Sequence, residues 1–222
     1  MRRSLTDGNP WTRLGIRKIV RTQGGGHLRG VGALTDRLQK GEAADVAIVS
    51  GTQIDELQKS GKVVAGSRVD IAKVGVGVFV RKGAAKPDIS SADAFKRSML
   101  AAKAIDYTDP ASGAADGIYL ASLLDRLGIA AEMKPKTELL RGPSLYASVA
   151  SGEVEIGFQM ISEILEEPSV EFIGRLPPAI QNITQYSAGI IASSTQADAG
   201  RALVKFLSSP TSVAVMKAKG FE

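Results

Sequence analysis

The sequence predicts an α/β protein, and two patterns carry that expectation. Short apolar runs of strand length alternate along the chain with amphipathic stretches whose apolar residues recur at three- and four-residue spacing. Most of these units close on a glycine or a small polar cluster, the usual punctuation of strand–turn–helix segments. The clearest unit spans residues 104–129. It opens with a strand at 104–107 and turns through Thr108, Asp109, Pro110, Ala111, Ser112 and Gly113. A helix follows with Ile118, Leu120, Leu123, Leu124 and Leu127 as its apolar positions and Gly128 as its stop. A helix start reached through such a turn presents unpaired backbone N–H groups at a positive dipole end, which suits an anion. The same residues also read as an ordinary strand–helix loop with Ser112 or Asp109 serving as a cap.

The other elements follow in order. Residues 33–40 predict an amphipathic helix with Leu34 and Leu38 inward, Asp36 and Arg37 outward, and Gly41 as its stop. Residues 45–49 are a short buried strand, and a helix from Thr52 or Gln53 runs through Ile54 and Leu57 to Gly61. Residues 74–80 alternate valine with glycine, a strand whose glycines predict close backbone approach or a bend. Ser90 and Ser91 cap a helix over 92–101 that turns Phe95 and Met99 inward. Beyond the central unit, residues 146–150 are helical up to Gly152, 154–159 form a strand and 161–165 a helical turn. Residues 172–174 and 183–192 read as strands. A helix over 195–207 presents Ala199, Leu203, Phe206 and Leu207 on one face, and a last helix covers 212–219. With alternating strands and helices, ligand groups are expected at the C-terminal ends of strands.

Composition narrows the chemistry. A chain of 222 residues suits one large domain or two small lobes. The absence of cysteine excludes disulfides, thiolate nucleophiles and cysteine-based metal sites. His27 is the only histidine, so neither a multi-histidine metal site nor a Ser-His-Asp triad is expected, and no cofactor motif is present. Gly24, Gly25 and Gly26 do not match a nucleotide-binding fingerprint. The net charge of +5 is concentrated at one end: residues 1–30 carry seven basic side chains against Asp7, while the remainder carries 21 basic and 22 acidic. The body of the chain is close to neutral, and a nucleic-acid partner is not expected.

Four stretches then carry a resemblance. KGEAADVAIVSGTQIDELQKSGKVV, DYTDPASGAADGIYLASLLDRLGI, VASGEVEIGFQMISEIL and ALVKFLSSPTSVAVMKAKGFE resemble, in that order, the extracellular solute-binding proteins of ABC importers. The group they are most similar to is the molybdate-binding proteins and their less specific relatives, over residues 32–222. The resemblance implies a two-lobed periplasmic-binding-protein fold of type II. Lobe 1 would be residues 32–81 with 183–222, lobe 2 residues 82–182, and residues 1–31 a divergent basic segment. Residues 74–81 and 183–192 would be the two strands crossing between lobes. The implied function is capture of a small anion, a molybdate-like oxyanion, between the lobes and its delivery to an ABC permease, by a periplasmic monomer with no cofactor.

In molybdate binders the oxyanion is held by neutral backbone and hydroxyl donors at helix starts. Carried over, Ser112, Gly113, Ala114, Ala115 and Asp116 match the lobe-2 oxyanion loop, Leu140 and Arg141 the second lobe-2 contact, and Gly32 and Ala33 the lobe-1 helix start. Three departures stand out. The family's first strand and serine-rich loop are not visible in residues 1–31. Gln159 and Met160 stand where molybdate binders have a tyrosine, and Gln159 reads as strand-end packing ahead of ligand contact. Arg141 and Ser144 sit where a larger carboxylate would meet a charged partner, although Arg141 reads equally as a solvent-facing charge. Tyr119 and Tyr146 read as core.

Arg2 and Arg3 resemble the start of a signal peptide, but no apolar region follows. The N-terminal segment therefore reads either as an altered form of an exported precursor or as a rebuilt edge. Two further functions stay open. Isomerases of tricarboxylic acids such as aconitate are known on a similar fold, and here Asp109, Asp116 or Glu163 would be the base. The other is a degenerate relative that binds nothing.

Overall fold

The computed structural model describes residues 19–21 and 31–222, with side chains from Thr35 onward. The elements are β1 (Ile19–Arg21), α1 (Val31–Gln39), β2 (Val46–Ser50), α2 (Gly51–Lys59), β3 (Val69–Arg81), α3 (Ala92–Ala101) and β4 (Ile105–Thr108). They continue with α4 (Ala115–Arg126), α5 (Ala130–Met133), β5 (Thr137–Leu140), α6 (Pro143–Ser151), β6 (Ile156–Met160) and α7 (Ile161–Ile164). The last are β7 (Val170–Arg175), β8 (Ile183–Ile190), α8 (Ala197–Leu207) and α9 (Pro210–Ala218). Two compact units divide them. Of the described residues, 19–21, 33–72 and 185–216 form one unit, and 31–32, 73–184 and 217–222 form the other.

In the first unit β1 runs parallel to β2, and β2 antiparallel to β8, with Val46 opposite Ile190. The strand at Ile19–Arg21 corrects the expectation that residues 1–31 hold none. Its apolar stretch is too short to stand out from the basic residues around it. The core joins Val46, Ala188 and Ile190 to Leu203 and Val204 of α8. Phe206, expected on that buried face, is 47% exposed, and Val204 is buried in its stead. The reading of Leu34 and the expected character of the rest of residues 1–30 lie outside the described side chains and residues.

The second unit is built on β3 to β7. β4 is parallel to both β5 and β6, β6 is antiparallel to β3, and β3 is antiparallel to β7. One face of this sheet packs Val76, Val78 and Phe158 against Phe95, Met99, Leu120 and Leu123. On α4, Leu120, Leu123 and Leu124 of the predicted apolar stripe are buried, whereas Ile118 is exposed, so the buried stripe is narrower than its spacing predicted. The opposite face packs Phe79 against Val149, Val154, Ile164 and Val170.

The strand expected from residue 74 begins at Val69, and its glycines have the close neighbours that the valine–glycine alternation predicted. A Cβ on Gly75 would meet the Gln181 amide at 3.0 Å, and one on Gly77 would meet Ile164 and Phe172 at 2.8 Å. Gln181 uses that space to act as a strand partner: its Oε1 accepts from the Val76 N–H and its Nε2 donates to the Val76 carbonyl, both at 2.9 Å. The chain end is fastened to the same unit. Glu222 exchanges backbone hydrogen bonds with Lys73, and its carboxylate pairs with Arg175.

Three parallel strands place three strand ends side by side. Thr108 is in register with Leu140, and Tyr107 with Phe158, so Gln159 reaches the same edge. Helices α4, α6 and α7 all start from that edge, and α4 is pressed onto it. A Cβ on Gly117 would lie 2.0 Å from the Thr108 carbonyl oxygen, a backbone atom with nowhere to go. Gly117→Ala is therefore expected to destabilise the protein by about 3 kcal/mol, read as a lowered urea midpoint, because relief requires moving α4 off β4.

Candidate functional site

The loop between β4 and α4 is shaped by its own polar side chains. Asp109 Oδ1 accepts from the Ala111 N–H at 2.9 Å, and Ser112 Oγ donates to the Asp109 carbonyl at 2.6 Å. The Ala114 N–H reaches Ser112 Oγ at 3.3 Å, and Gly113 between them holds φ +75. Ser112 and Asp109 thus serve as local caps. A backbone bond from Asp109 to the Leu140 carbonyl at 3.0 Å joins this loop to the one after β5. Across the same gap Arg141 Nε donates to Asp109 Oδ2 at 3.1 Å. Arg141, followed by the Ala111 N–H, holds the Asp109 carboxyl below the usual carboxylate range. Asp109 is accordingly a weaker base than an ordinary carboxylate, and Arg141, exposed as a side chain, already has a carboxylate partner.

Deeper in the edge lies a second network. Thr108 Oγ1 donates to Asp116 Oδ2 at 2.6 Å and accepts from Gln159 Nε2 at 3.1 Å, while Gln159 Oε1 accepts from the Met160 N–H at 2.8 Å. Asp116 and Gln159 are buried. Burial raises the Asp116 pKa; the Thr108 hydroxyl and then the backbone N–H groups of Asp116 and Gly117 oppose the rise. The first turn of α4 thus already holds a carboxyl group, the chain's own. Glu163, in the single turn of α7, is half-buried, and its carboxyl makes no hydrogen bond or ion pair among the described residues. Burial first, then the charges of Asp116 and Glu166, push its pKa up to about 7.

Eight of the positions singled out by resemblance line this edge of the second unit. Ala114 is the residue before α4, in extended backbone, and Ala115 and Asp116 open the helix. Ser112 and Gly113 form the turn, Leu140 ends β5, Arg141 begins the next loop, and Gln159 lies one residue from the end of β6. Gly32 and Ala33 fall in the first turn of α1, and their side chains lie outside those described. Thr108, which ties Asp116 to Gln159, was visible only as a turn residue, because its role depends on a register between strands far apart in sequence.

Residues 20–222 match the model of a family described as bacterial extracellular solute-binding protein. The chain belongs to this family. It is 35% identical over 191 residues to the aconitate isomerase of a Pseudomonas species, spanning 86% of this chain and 71% of that protein. It is 27% identical over 196 residues to the molybdate-binding protein ModA of Azotobacter vinelandii, spanning 86% and 75%. The solved periplasmic molybdate-binding protein of Azotobacter vinelandii superposes with a TM-score of 0.71 at 18% identity, over 87% of this chain and 84% of that one. That likeness establishes the periplasmic-binding-protein fold. Members of the family bind small solutes and serve ABC-transporter permeases.

Beneath the edge, Asp106 of β4 is fully buried. Ser148 Oγ of α6 donates to its Oδ2 at 2.5 Å, while its Oδ1 has no hydrogen-bond partner among the described residues. Burial pushes its pKa up to about 7 against the pull of the Ser148 hydroxyl, with Glu138 adding a smaller upward push. The unfolded chain releases this proton near the ordinary value of 3.8, so the contribution of Asp106 to stability is full below that pH and lost as pH rises through about 7. Asp106→Asn is expected to be more stable than the unaltered chain at pH 8, by about 4 kcal/mol, and close to parity at pH 4. Thermal melts across that range check it.

Proposed function

We propose that this protein binds a small di- or tricarboxylic acid of the aconitate type and moves a proton on it, as an isomerase. The observation that carries the reading is the pair Asp116 and Glu163 at the strand edge of the second unit. A helix start offering only neutral donors suits an oxyanion such as molybdate. Here the first turn of α4 is occupied by the chain's own Asp116 carboxyl, which takes up the Thr108 hydroxyl and the N–H groups of Asp116 and Gly117 that a bare dianion would need. Glu163, with a pKa near 7, has the poise of a general base at neutral pH. The 35% identity to an aconitate isomerase supports the same substrate class.

The step balances without a cofactor. The Glu163 carboxylate takes a proton from the methylene carbon beside a substrate carboxyl. The electron pair left behind spreads through the adjacent double bond onto carboxylate oxygen. The proton returns to the far carbon of that double bond, which has moved by one position, and Glu163 is again a carboxylate. No atom is gained or lost and nothing is oxidised. Asp116, fastened by Thr108, keeps its place and raises the proton affinity of Glu163.

A second reading, capture for an ABC importer without turnover, is favoured by the family match over residues 20–222. Proton NMR of the protein with trans-aconitate in deuterated buffer separates the two. The proposal expects formation of cis-aconitate with deuterium entering the methylene position, a loss of at least about 100-fold in Glu163→Gln, and retained binding in that variant. Because the base must be unprotonated, the rate is expected to rise with pH and level off above about 7. A saturable thermal shift with aconitate but no exchange would favour import. A shift with molybdate and tungstate alone would overturn the organic-acid reading.

A further inference from the structure

Helix α6 carries an unexplained hydroxyl into the same cluster. The Tyr146 ring packs 5.3 Å from that of Phe79, in the cluster that includes Val149, Val154, Ile164 and Val170. Its hydroxyl is shielded from water and has no hydrogen-bond partner among the described residues. A buried hydroxyl left unpaired is destabilising, so the fold gives up stability to keep it. Tyr119 in the same unit shows the ordinary arrangement: its hydroxyl donates to the Ile180 carbonyl at 2.7 Å, and Arg126 covers its ring. Tyr146 has carboxyls from separate elements around it, Glu163 foremost, then Asp116, Glu167 and Asp106. Burial first, and then their charges, keep it a phenol and therefore a donor throughout the physiological range. Each of those carboxyls is engaged elsewhere or simply does not accept from it.

We infer that Tyr146 is a ligand-binding residue, a neutral donor whose missing acceptor is an oxygen of the bound anion. A phenol suits this position. It adds no charge beside Asp116 and Glu163, and its ring is already fixed, so little ordering is required on binding. On the isomerase reading, the acceptor would be the substrate carboxylate oxygen on which negative charge gathers once Glu163 has taken the proton, where a preorganised donor has most effect. The inference rests on the reading that this edge binds a small anion, and does not depend on turnover.

The test compares the full chain with Tyr146→Phe and Tyr119→Phe, by thermal melting and calorimetric titration with trans-aconitate and with molybdate. Tyr146→Phe is expected to melt at or slightly above the unaltered protein when no ligand is present. It is also expected to lose about tenfold or more in affinity for whichever probe the unaltered protein binds. Tyr119→Phe is expected to do the reverse, melting lower while keeping its affinity within about twofold. Equal affinity in Tyr146→Phe would overturn the inference and leave the site reading standing. If the unaltered protein binds neither probe, the site reading fails and the inference fails with it.

Discussion

Strand β4 lies between two parallel partners, and that placement decides where the chemistry of the second unit gathers. Parallel neighbours end at the same edge, so the loops after β4, β5 and β6 are brought together whatever their sequences. Each loop runs into a helix, so three helix starts are gathered at that edge. The edge would therefore attract an anion even if its side chains were all apolar. The side chains then decide which anion, and what becomes of it.

Two contacts fix that answer in this chain. Gly117 allows α4 to sit directly on the Thr108 carbonyl, a distance no other residue type permits. The closeness brings the Thr108 hydroxyl within reach of Asp116, and Asp116 occupies the helix start that an external anion would otherwise use. Burial raises the pKa of a carboxyl in that place, and the Thr108 hydroxyl and the N–H groups of the helix start oppose the rise. Its charge then falls on Glu163, which has no hydrogen bond to favour ionisation and is pushed toward neutrality by the same burial. One acid is thus anchored and the other poised. Because the two interact, the protons they exchange belong to the pair as much as to either residue.

Much of this organisation was legible in the sequence, for reasons that can be stated. Helix α3 begins and ends at the residues expected from its serine cap and apolar spacing, and Ser91 indeed accepts from the Ala94 N–H. β2, β4, β6 and β8 follow from short apolar runs between breakers. What local pattern could not show is pairing. The edge strand β1 is three residues long and gains its stability from β2, a partner 27 positions away in register. Thr108 becomes central only once β6 lies beside β4. Arg141 was legible as a residue suited to a carboxylate, and it has one, Asp109, supplied by the neighbouring loop. Ile118 and Phe206 show the opposite limit: helical spacing marks a stripe, while the neighbouring elements decide how wide a stripe is buried.

A solute-binding fold needs little alteration to become an acid–base site. Capturing an oxyanion depends on donors that are neutral and fixed, and excluding water makes them stronger. The same dry surroundings that strengthen those donors raise the pKa of any carboxyl placed among them. Substituting carboxylates for neutral groups at one or two positions of the edge therefore does two things together: it disfavours a bare dianion and creates a base that works near neutral pH. On the proposed isomerase reading, the carboxyls of this chain that would fill those places are Asp116 and Glu163. A few carboxyls at the strand ends would, on that reading, suffice to turn such a binding fold into an isomerase, and the fold alone does not determine which of the two it is.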